Sequence, residues 1–189
     1  MENKTNYYEI EGLIIDELGK TLKEIKKEEV DALIENILSV EKVFFVGVGR
    51  VLLSLQAMAK RLAHLGINTV VVGQITEPAI TDKDLLIVGS GSGESAFPLA
   101  IARKAKSFNA KVAHIGSNPD SSMKEYTDIF VRIPVSTKLN LPNEIPSVQP
   151  MTSLFEQSLL LLGDSVALMI IRTKNINMKE LWQFHANLE

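Results

Sequence analysis

The sequence contains no cysteine, only three histidines and no excess of positive charge. Without cysteine the chain forms no disulfide, uses no thiolate nucleophile and offers no cysteine ligand to zinc. His64, His114 and His185 lie far apart with no partner at i+4, which disfavours a zinc site. Lys and Arg number 20 against 23 Asp and Glu, whereas a nucleic-acid-binding face is usually basic. We therefore expect neither a bound metal nor nucleic acid.

Long apolar runs are also absent. No uninterrupted run reaches the roughly 18–20 residues that a membrane-spanning helix needs, and the glutamate-rich start does not resemble a signal peptide. The most apolar segment, residues 151–173, carries polar residues at Ser153, Glu156, Gln157 and Asp164. A length of 189 residues with 46% hydrophobic residues fits one domain with a substantial core. We expect a soluble, cytoplasmic protein with no membrane partner.

The spacing of apolar residues predicts N-terminal helices followed by alternating strands and helices. Within residues 1–40, apolar side chains recur at close to 3.6 residues over 10–25, and a second helix is predicted over 28–38. Five short apolar runs predict strands, at 42–46, 69–72, 84–88, 111–115 and 129–133. Further helices are predicted at 51–65, 95–108 and 151–173, with a short one from Met178. We predict one α/β domain over residues 1–189, in which helices cover both faces of a parallel sheet and the N-terminal helices pack on it.

The turn after the first predicted strand reads Gly47-Val-Gly49-Arg50. Glycines allow a sharp turn that exposes backbone N–H groups where a helix begins. A cation at that helix end is unfavourable by about 0.3–1 kcal/mol, so Arg50 fits best beside an anion. A solvent-facing arginine next to a simple turn explains the residues equally well. Neither the Rossmann nor the Walker A phosphate motif is present, because Leu52 replaces the third glycine and the Lys-Ser/Thr pair is missing.

The loop after the third predicted strand is Gly89-Ser90-Gly91-Ser92-Gly93-Glu94-Ser95. Its serines and glycines can surround a phosphate with hydroxyl and backbone donors at the start of the next helix. The alternative is a flexible loop with Ser95 as a helix N-cap, which accounts for one serine but not for three. Ligands of open parallel sheets bind at the carboxyl ends of the strands, so we expect both turns to meet there.

The segment Ser90–Ser95 resembles the Ser-x-Ser-Gly-Glu-Thr/Ser signature of SIS (sugar isomerase) domains, which bind phosphosugars. Four further stretches resemble the 6-phospho-3-hexuloisomerase family, at Gly47–Arg50, Lys60–Gly66, Gln149–Gln157 and His185–Glu189. The resemblance implies a three-layer SIS fold with a five-stranded parallel sheet, in a homo-oligomer that is usually a tetramer. It also implies interconversion of 3-hexulose 6-phosphate and fructose 6-phosphate without metal or organic cofactor, in the ribulose monophosphate pathway of formaldehyde assimilation.

The same resemblance places the phosphate-binding hydroxyls on Ser90, Ser92 and Ser95, and the active-site carboxylate on Glu156. The predicted substrate-binding set is Gly49, Arg50, Ser90, Gly91, Ser92, Gly93, Glu94 and Ser95. Moving a carbonyl between adjacent carbons needs a base, and a glutamate is ionised at neutral pH. For Glu156, the simpler alternative is a glutamate favoured by the helix dipole.

A second group must handle the protons of the sugar oxygens, which a histidine can do. We predict His185, on a terminal segment that could reach a neighbouring subunit's site, with His64 as the competing candidate. An exposed tail histidine, or a structural histidine on a helix, are the simpler alternatives. His114, inside a predicted strand, is interpreted as a core or edge residue.

Several positions near the predicted ligand site depart from the family pattern. Val51 and Leu52 replace a Ser-Gly pair after Arg50, and Ser54 lies one helical turn further on. Gly116 stands where threonine is common, Gln74 where glutamate is common, and Thr152 where glycine is found. These differences leave open two alternatives, namely an isomerase of a different sugar phosphate and a non-catalytic phosphosugar sensor.

Overall fold

The computed structural model describes residues 6–188, which form helices around a five-stranded sheet. Residues 1–5 and 189 fall outside this range. Both ends of the predicted domain, the start of the helical segment 1–40 and the last residue of the His185–Glu189 stretch therefore lie outside the described residues. The five longer helices are α1 (Tyr7–Lys23), α2 (Lys27–Ser39), α3 (Gly49–Ala63), α4 (Ala96–Lys106) and α5 (Ser153–Thr173). The strands are β1 (Val43–Val46), β2 (Thr69–Val71), β3 (Leu85–Gly89), β4 (Lys111–Gly116) and β5 (Ile129–Arg132).

The predicted α/β class is confirmed, since the five predicted strands pair in parallel in the order β2-β1-β3-β4-β5. Two short 3₁₀ helices, Ser122–Tyr126 and Glu180–Phe184, complete the elements, and the second lies where a terminal helix is predicted. After β1 the chain adds β2 on one side and then returns to add β3 on the other. The sheet order therefore reverses between β1 and β3, and a crevice opens at the carboxyl ends of these two strands.

Helices cover both faces of the sheet. On one face, α2, α3 and α5 enclose a core that includes Phe45, Leu55 and Leu159, and α1 packs on α5. On the other face, α4 covers Phe44, Val88 and their neighbours. Strands β1 and β3 are buried along their whole length, which explains why they are apolar at every position instead of alternating.

Helix α5 combines great length with strongly apolar composition. Among the described residues it is the one helix long and apolar enough to cross a membrane, but 56% of its most apolar window is buried inside the protein. Its closest neighbour is α3, and a Cβ atom added to Gly163 would lie 2.9 Å from the Cβ of Met58. This close crossing brings the first turn of α3 beside the first turn of α5.

Candidate active site

A cavity of about 620 Å³ opens at the carboxyl ends of β1 and β3. Its wall includes the turn after β1, the loop after β3, part of the segment 136–152, and the first turn of α5. The two turns singled out in the sequence therefore meet at one cavity, as expected. The volume lies within the range of about 300–1,000 Å³ that is common for small-molecule sites.

Three serines of the serine-rich loop line this cavity, namely Ser90, Ser92 and Ser95. The hydroxyls of Ser90 and Ser95 are 3.4 Å apart, and the Ser90 hydroxyl accepts the Gly93 N–H at 3.2 Å. Ser95 is the N-cap residue of α4, yet its side chain makes no capping hydrogen bond. Its presence is therefore not explained by capping, and the N-terminus of α4 is left open to an anion.

Gly93 and Glu94 support the loop from behind and do not line the cavity. Gly93 has φ +68°, and a Cβ atom there would lie 2.1 Å from the Ser121 hydroxyl. The backbone N–H of Ser122 donates to the Glu94 carboxylate at 2.7 Å and lowers the pKa of that carboxyl. The other predicted binding residues, Gly49, Arg50 and Gly91, do line the cavity.

His114 lies directly beneath the loop. Burial lowers its pKa to about 4, although the hydrogen bond to the Ser90 carbonyl acts in the opposite direction. The ring is therefore neutral near pH 7, and its Nε2 lies 2.9 Å from the Ser90 carbonyl oxygen, which can only accept. A Cβ atom on Gly116 would lie 2.4 Å from the same Nε2. Gly116 thus makes room for the histidine, and a threonine there would displace it.

Glu156 faces the cavity from the first turn of α5 and is 92% shielded, with 8% of its surface exposed. Arg50 donates from Nε to one carboxylate oxygen, and the Thr152 hydroxyl donates to the other at 3.0 Å. The Ser54 hydroxyl donates to the Glu156 main-chain carbonyl at 2.8 Å, which ties α3 to α5. An anion therefore does lie beside Arg50, and it is the Glu156 carboxylate of the protein itself.

The two other predicted catalytic residues lie together, but away from Glu156. His64 follows the last turn of α3, whose 15 residues place it about 20 Å from the Arg50 end. The rings of His64 and His185 stack with centroids 5.3 Å apart, and Trp182 packs on His185. They line a separate cavity of about 320 Å³. Within one chain, the structure does not bring either histidine to the carboxylate.

The segment between β5 and α5 supplies part of the cavity wall that the sequence does not specify. Besides Met151 and Thr152, just before α5, its residues at the cavity are Ser136, Thr137, Lys138, Asn140 and Ser147. The length and proline content of this loop indicate a functional loop, but no motif identifies the individual residues. Over residues 6–188, no three His, Asp or Glu side chains are grouped so as to hold a metal ion.

Three serines of one loop and a buried glutamate therefore line a single cavity, at the point where the order of the parallel sheet reverses. The SIS domain model matches residues 36–163, and the chain belongs to the SIS domain family. The predicted family is thereby confirmed.

Proteins named for one particular enzyme align with nearly the whole chain. The chain is 40% identical to a 3-hexulose-6-phosphate isomerase of Bacillus subtilis, over 98% of this chain and 100% of that protein. It is 37% identical to a 3-hexulose-6-phosphate isomerase of Mycobacterium gastri, over 94% of this chain and 89% of that protein. A crystal structure from Methanococcus jannaschii, whose inferred function is that of a 3-hexulose-6-phosphate isomerase, is 30% identical with a TM-score of 0.82. That comparison covers 96% of this chain and 99% of the other.

Proposed function

We propose that this protein interconverts 3-hexulose 6-phosphate and fructose 6-phosphate at the cavity between β1 and β3. The observation that carries the proposal is that Glu156 and the three serines of the loop line the same cavity. The named relatives, which extend over nearly the full chain, support the choice of sugar phosphate. Such a reaction would belong to the ribulose monophosphate pathway.

The phosphate of the sugar binds in the serine-rich loop. Ser90, Ser92 and Ser95 donate hydroxyl hydrogen bonds, and the N-terminus of α4 adds a favourable dipole. His114, held neutral by burial, fixes the Ser90 carbonyl and so the course of the loop. Neutral donors compensate the charge of a phosphate only in part, and the Lys138 side chain at the cavity adds a cation.

The carboxylate of Glu156 acts as the base. It removes the proton from C2 of 3-hexulose 6-phosphate, and the electron pair of the C–H bond moves to form an enediolate with its negative charge on the C3 oxygen. Transfer of the C2 hydroxyl proton to the C3 oxygen, and return of a proton from Glu156 to C3, then give the C2 ketone and C3 hydroxyl of fructose 6-phosphate. A positioned base of this kind contributes about 10²–10⁴-fold to the rate.

Arg50 and Thr152 hold the base in place. Their donors reach different oxygens of the Glu156 carboxylate, which fixes its orientation. The Arg50 side chain is 64% exposed, so its guanidinium can turn toward the cavity and stabilise the negative oxygen of the enediolate.

A neighbouring copy of the chain supplies the group that moves the oxygen protons. A second copy is needed because neither histidine lies near Glu156 in its own chain. His185 is the first candidate for this group and His64 is the second. We further propose a cytoplasmic homotetramer of single-domain subunits spanning residues 1–189. Large apolar side chains exposed on one chain support self-association, among them Tyr7, Tyr8, Leu13, Ile15, Leu53 and Trp182.

Val51 supports the second candidate function, which is either an isomerase of a different sugar phosphate or a non-catalytic phosphosugar sensor. It lines the cavity at the position where the family pattern has a hydroxyl. An assay against a panel of ketose and aldose phosphates separates the cases. The proposed function requires turnover of fructose 6-phosphate, whereas binding of several sugars without turnover of any identifies a sensor.

Replacing Glu156 by glutamine tests the assigned base. We expect Glu156→Gln to lower kcat by about 10²–10⁴-fold while the dissociation constant for fructose 6-phosphate changes little. Glu35→Gln, on an exposed position of α2, is the matched control and should keep full activity. Undiminished turnover by Glu156→Gln would refute the assignment.

A further inference from the structure

The loop between β5 and α5 forms one wall of the cavity but has little regular structure of its own. Among the described residues its only β-type pairing is an isolated bridge between Val135 and Ile145. Ordering such a segment costs about 1–2 kcal/mol of backbone entropy per residue. Side-chain contacts must therefore fix the wall.

One carboxylate fixes the first half of this loop from within. Glu144 accepts hydrogen bonds from the Ser117 hydroxyl and the Leu141 N–H, both at 2.8 Å. Ser117 follows β4 directly, so these bonds join the loop to the carboxyl end of the sheet. The cavity residues Thr137 and Asn140 lie between Val135, which bridges to Ile145, and Glu144.

A second carboxylate, from a distant part of the chain, fixes the other half. One oxygen of Glu17 on α1 accepts the Ser147 hydroxyl at 2.6 Å and the Gln149 side-chain amide at 2.9 Å. The other oxygen accepts the Val148 N–H at 2.7 Å. Partial burial alone would raise the pKa of Glu17, but these hydrogen bonds lower it, so the side chain is a carboxylate at neutral pH.

We propose that Glu17 is a positioning residue for the sugar-binding wall of the active site. It fixes Ser147 at the cavity, together with the short connection that leads to Thr152 and the base Glu156. Helix α1 lies outside the residues 36–163 that match the family model, so this part of the site is built by a segment that the family model does not describe. The inference rests on the proposed function.

The hydrogen bonds between Glu17 and residues 147–149 require a carboxylate at position 17 and not an amide. All three partners of Glu17 donate, and a carboxylate accepts with both oxygens. A glutamine of nearly the same shape would point its NH₂ group at one or two donors, leaving them without an acceptor. Glu17→Gln should therefore release residues 147–149 with little change in packing.

The test compares a sugar ligand with its phosphate alone. We expect Glu17→Gln to raise the KM and the dissociation constant for fructose 6-phosphate about tenfold, because charge-assisted hydrogen bonds hold the wall. The affinity for inorganic phosphate should stay within about twofold, since Glu17 does not touch the serine loop. Glu11→Gln, an exposed glutamate on the same helix, is the matched control and should behave as the unsubstituted protein.

A second variant covers the case in which Glu17→Gln does not fold. Gln149→Met removes one donor at the other end of the contact and should shift sugar affinity in the same direction, by a smaller factor. Unchanged sugar affinity in both variants, or an equal loss of sugar and phosphate affinity, would overturn the inference. If the unsubstituted protein binds fructose 6-phosphate without turning it over, the proposed function fails while the dissociation constants still decide the role of Glu17.

Discussion

At the scale of the residue, the neighbours of a side chain decide what it does. Glu156 occupies the first helical turn, as a glutamate favoured by the dipole would, and also holds its carboxylate at the cavity between Arg50 and Thr152. The motif around Glu156 is visible in the sequence. Its ion pair with Arg50 is not, because 106 positions separate the two residues and only the crossing of α3 and α5 joins them.

His114 provides a prediction about pH at this scale. Its pKa falls from 6.5 to about 4 on folding, so the unfolded chain binds a proton at higher pH than the folded protein does. The stabilisation is fully present above pH 6.5 and is lost as the pH falls from 6.5 to about 4. Because of His114, we expect the free energy of unfolding to be about 2 kcal/mol lower at about pH 5 than at about pH 7.5.

His114→Gln isolates this contribution, because the amide can still donate to the Ser90 carbonyl but does not titrate. Chemical denaturation of both proteins at the two pH values gives the comparison. Carboxyl groups titrate alike in both proteins, so the difference between them reports on His114. An identical pH dependence in the two proteins would contradict a buried neutral histidine.

At the scale of the element, the sequence predicts those strands and helices whose local residue pattern determines their structure. Strands β1 and β3 are apolar at every position, the other strands contain short apolar runs, and the helices repeat at 3.6 residues. All five strands and the long helices are therefore found within a few residues of their predicted ends. The wall after β5 has no such pattern. Its conformation depends on Glu17, which lies 130 positions before Ser147, and no spacing within the loop indicates that contact.

Two glycine substitutions test the serine-rich loop as an element. Gly93→Ala places a methyl group at positive φ and against the Ser121 hydroxyl, and should cost about 1–3 kcal/mol of stability and weaken phosphate binding. Gly12→Ala, in the middle of α1 with open space around it, should instead stabilise by about 0.4–1 kcal/mol. Thermal unfolding and calorimetric titration with inorganic phosphate measure both effects. Unimpaired phosphate binding by Gly93→Ala would show that the loop conformation does not form the cradle.

At the scale of the whole molecule, the candidate catalytic residues of one chain lie in two separate places. Glu156 lies at one end of α3, whereas His64 and His185 stack at the other. Motifs in the sequence predict the residue types, but they do not specify how copies of the chain would combine in the proposed tetramer. That depends on surfaces that a single chain leaves uncovered, such as Tyr7 and Trp182.

Mixing subunits tests whether a site is shared. We expect Glu156→Gln and His185→Gln to be inactive separately, and an equal mixture assembled together to recover about a quarter of full activity, because symmetric copies combine at random. The assembly should have about four times the 20.9 kDa mass of the chain by light scattering. The same mixture made with His64→Gln identifies the competing histidine. Full activity of both histidine variants alone would exclude both residues.

Solvent deuterium exchange tests the central claim most directly. With fructose 6-phosphate in D₂O, removal of a proton from C3 by Glu156 should replace the C3 proton by deuterium, as followed by proton NMR, while both C1 protons remain. Glu156→Gln should abolish this exchange, and Glu35→Gln should leave it unchanged. An intact C3 proton after prolonged incubation with the unsubstituted protein, or exchange at C1 instead, would contradict the account.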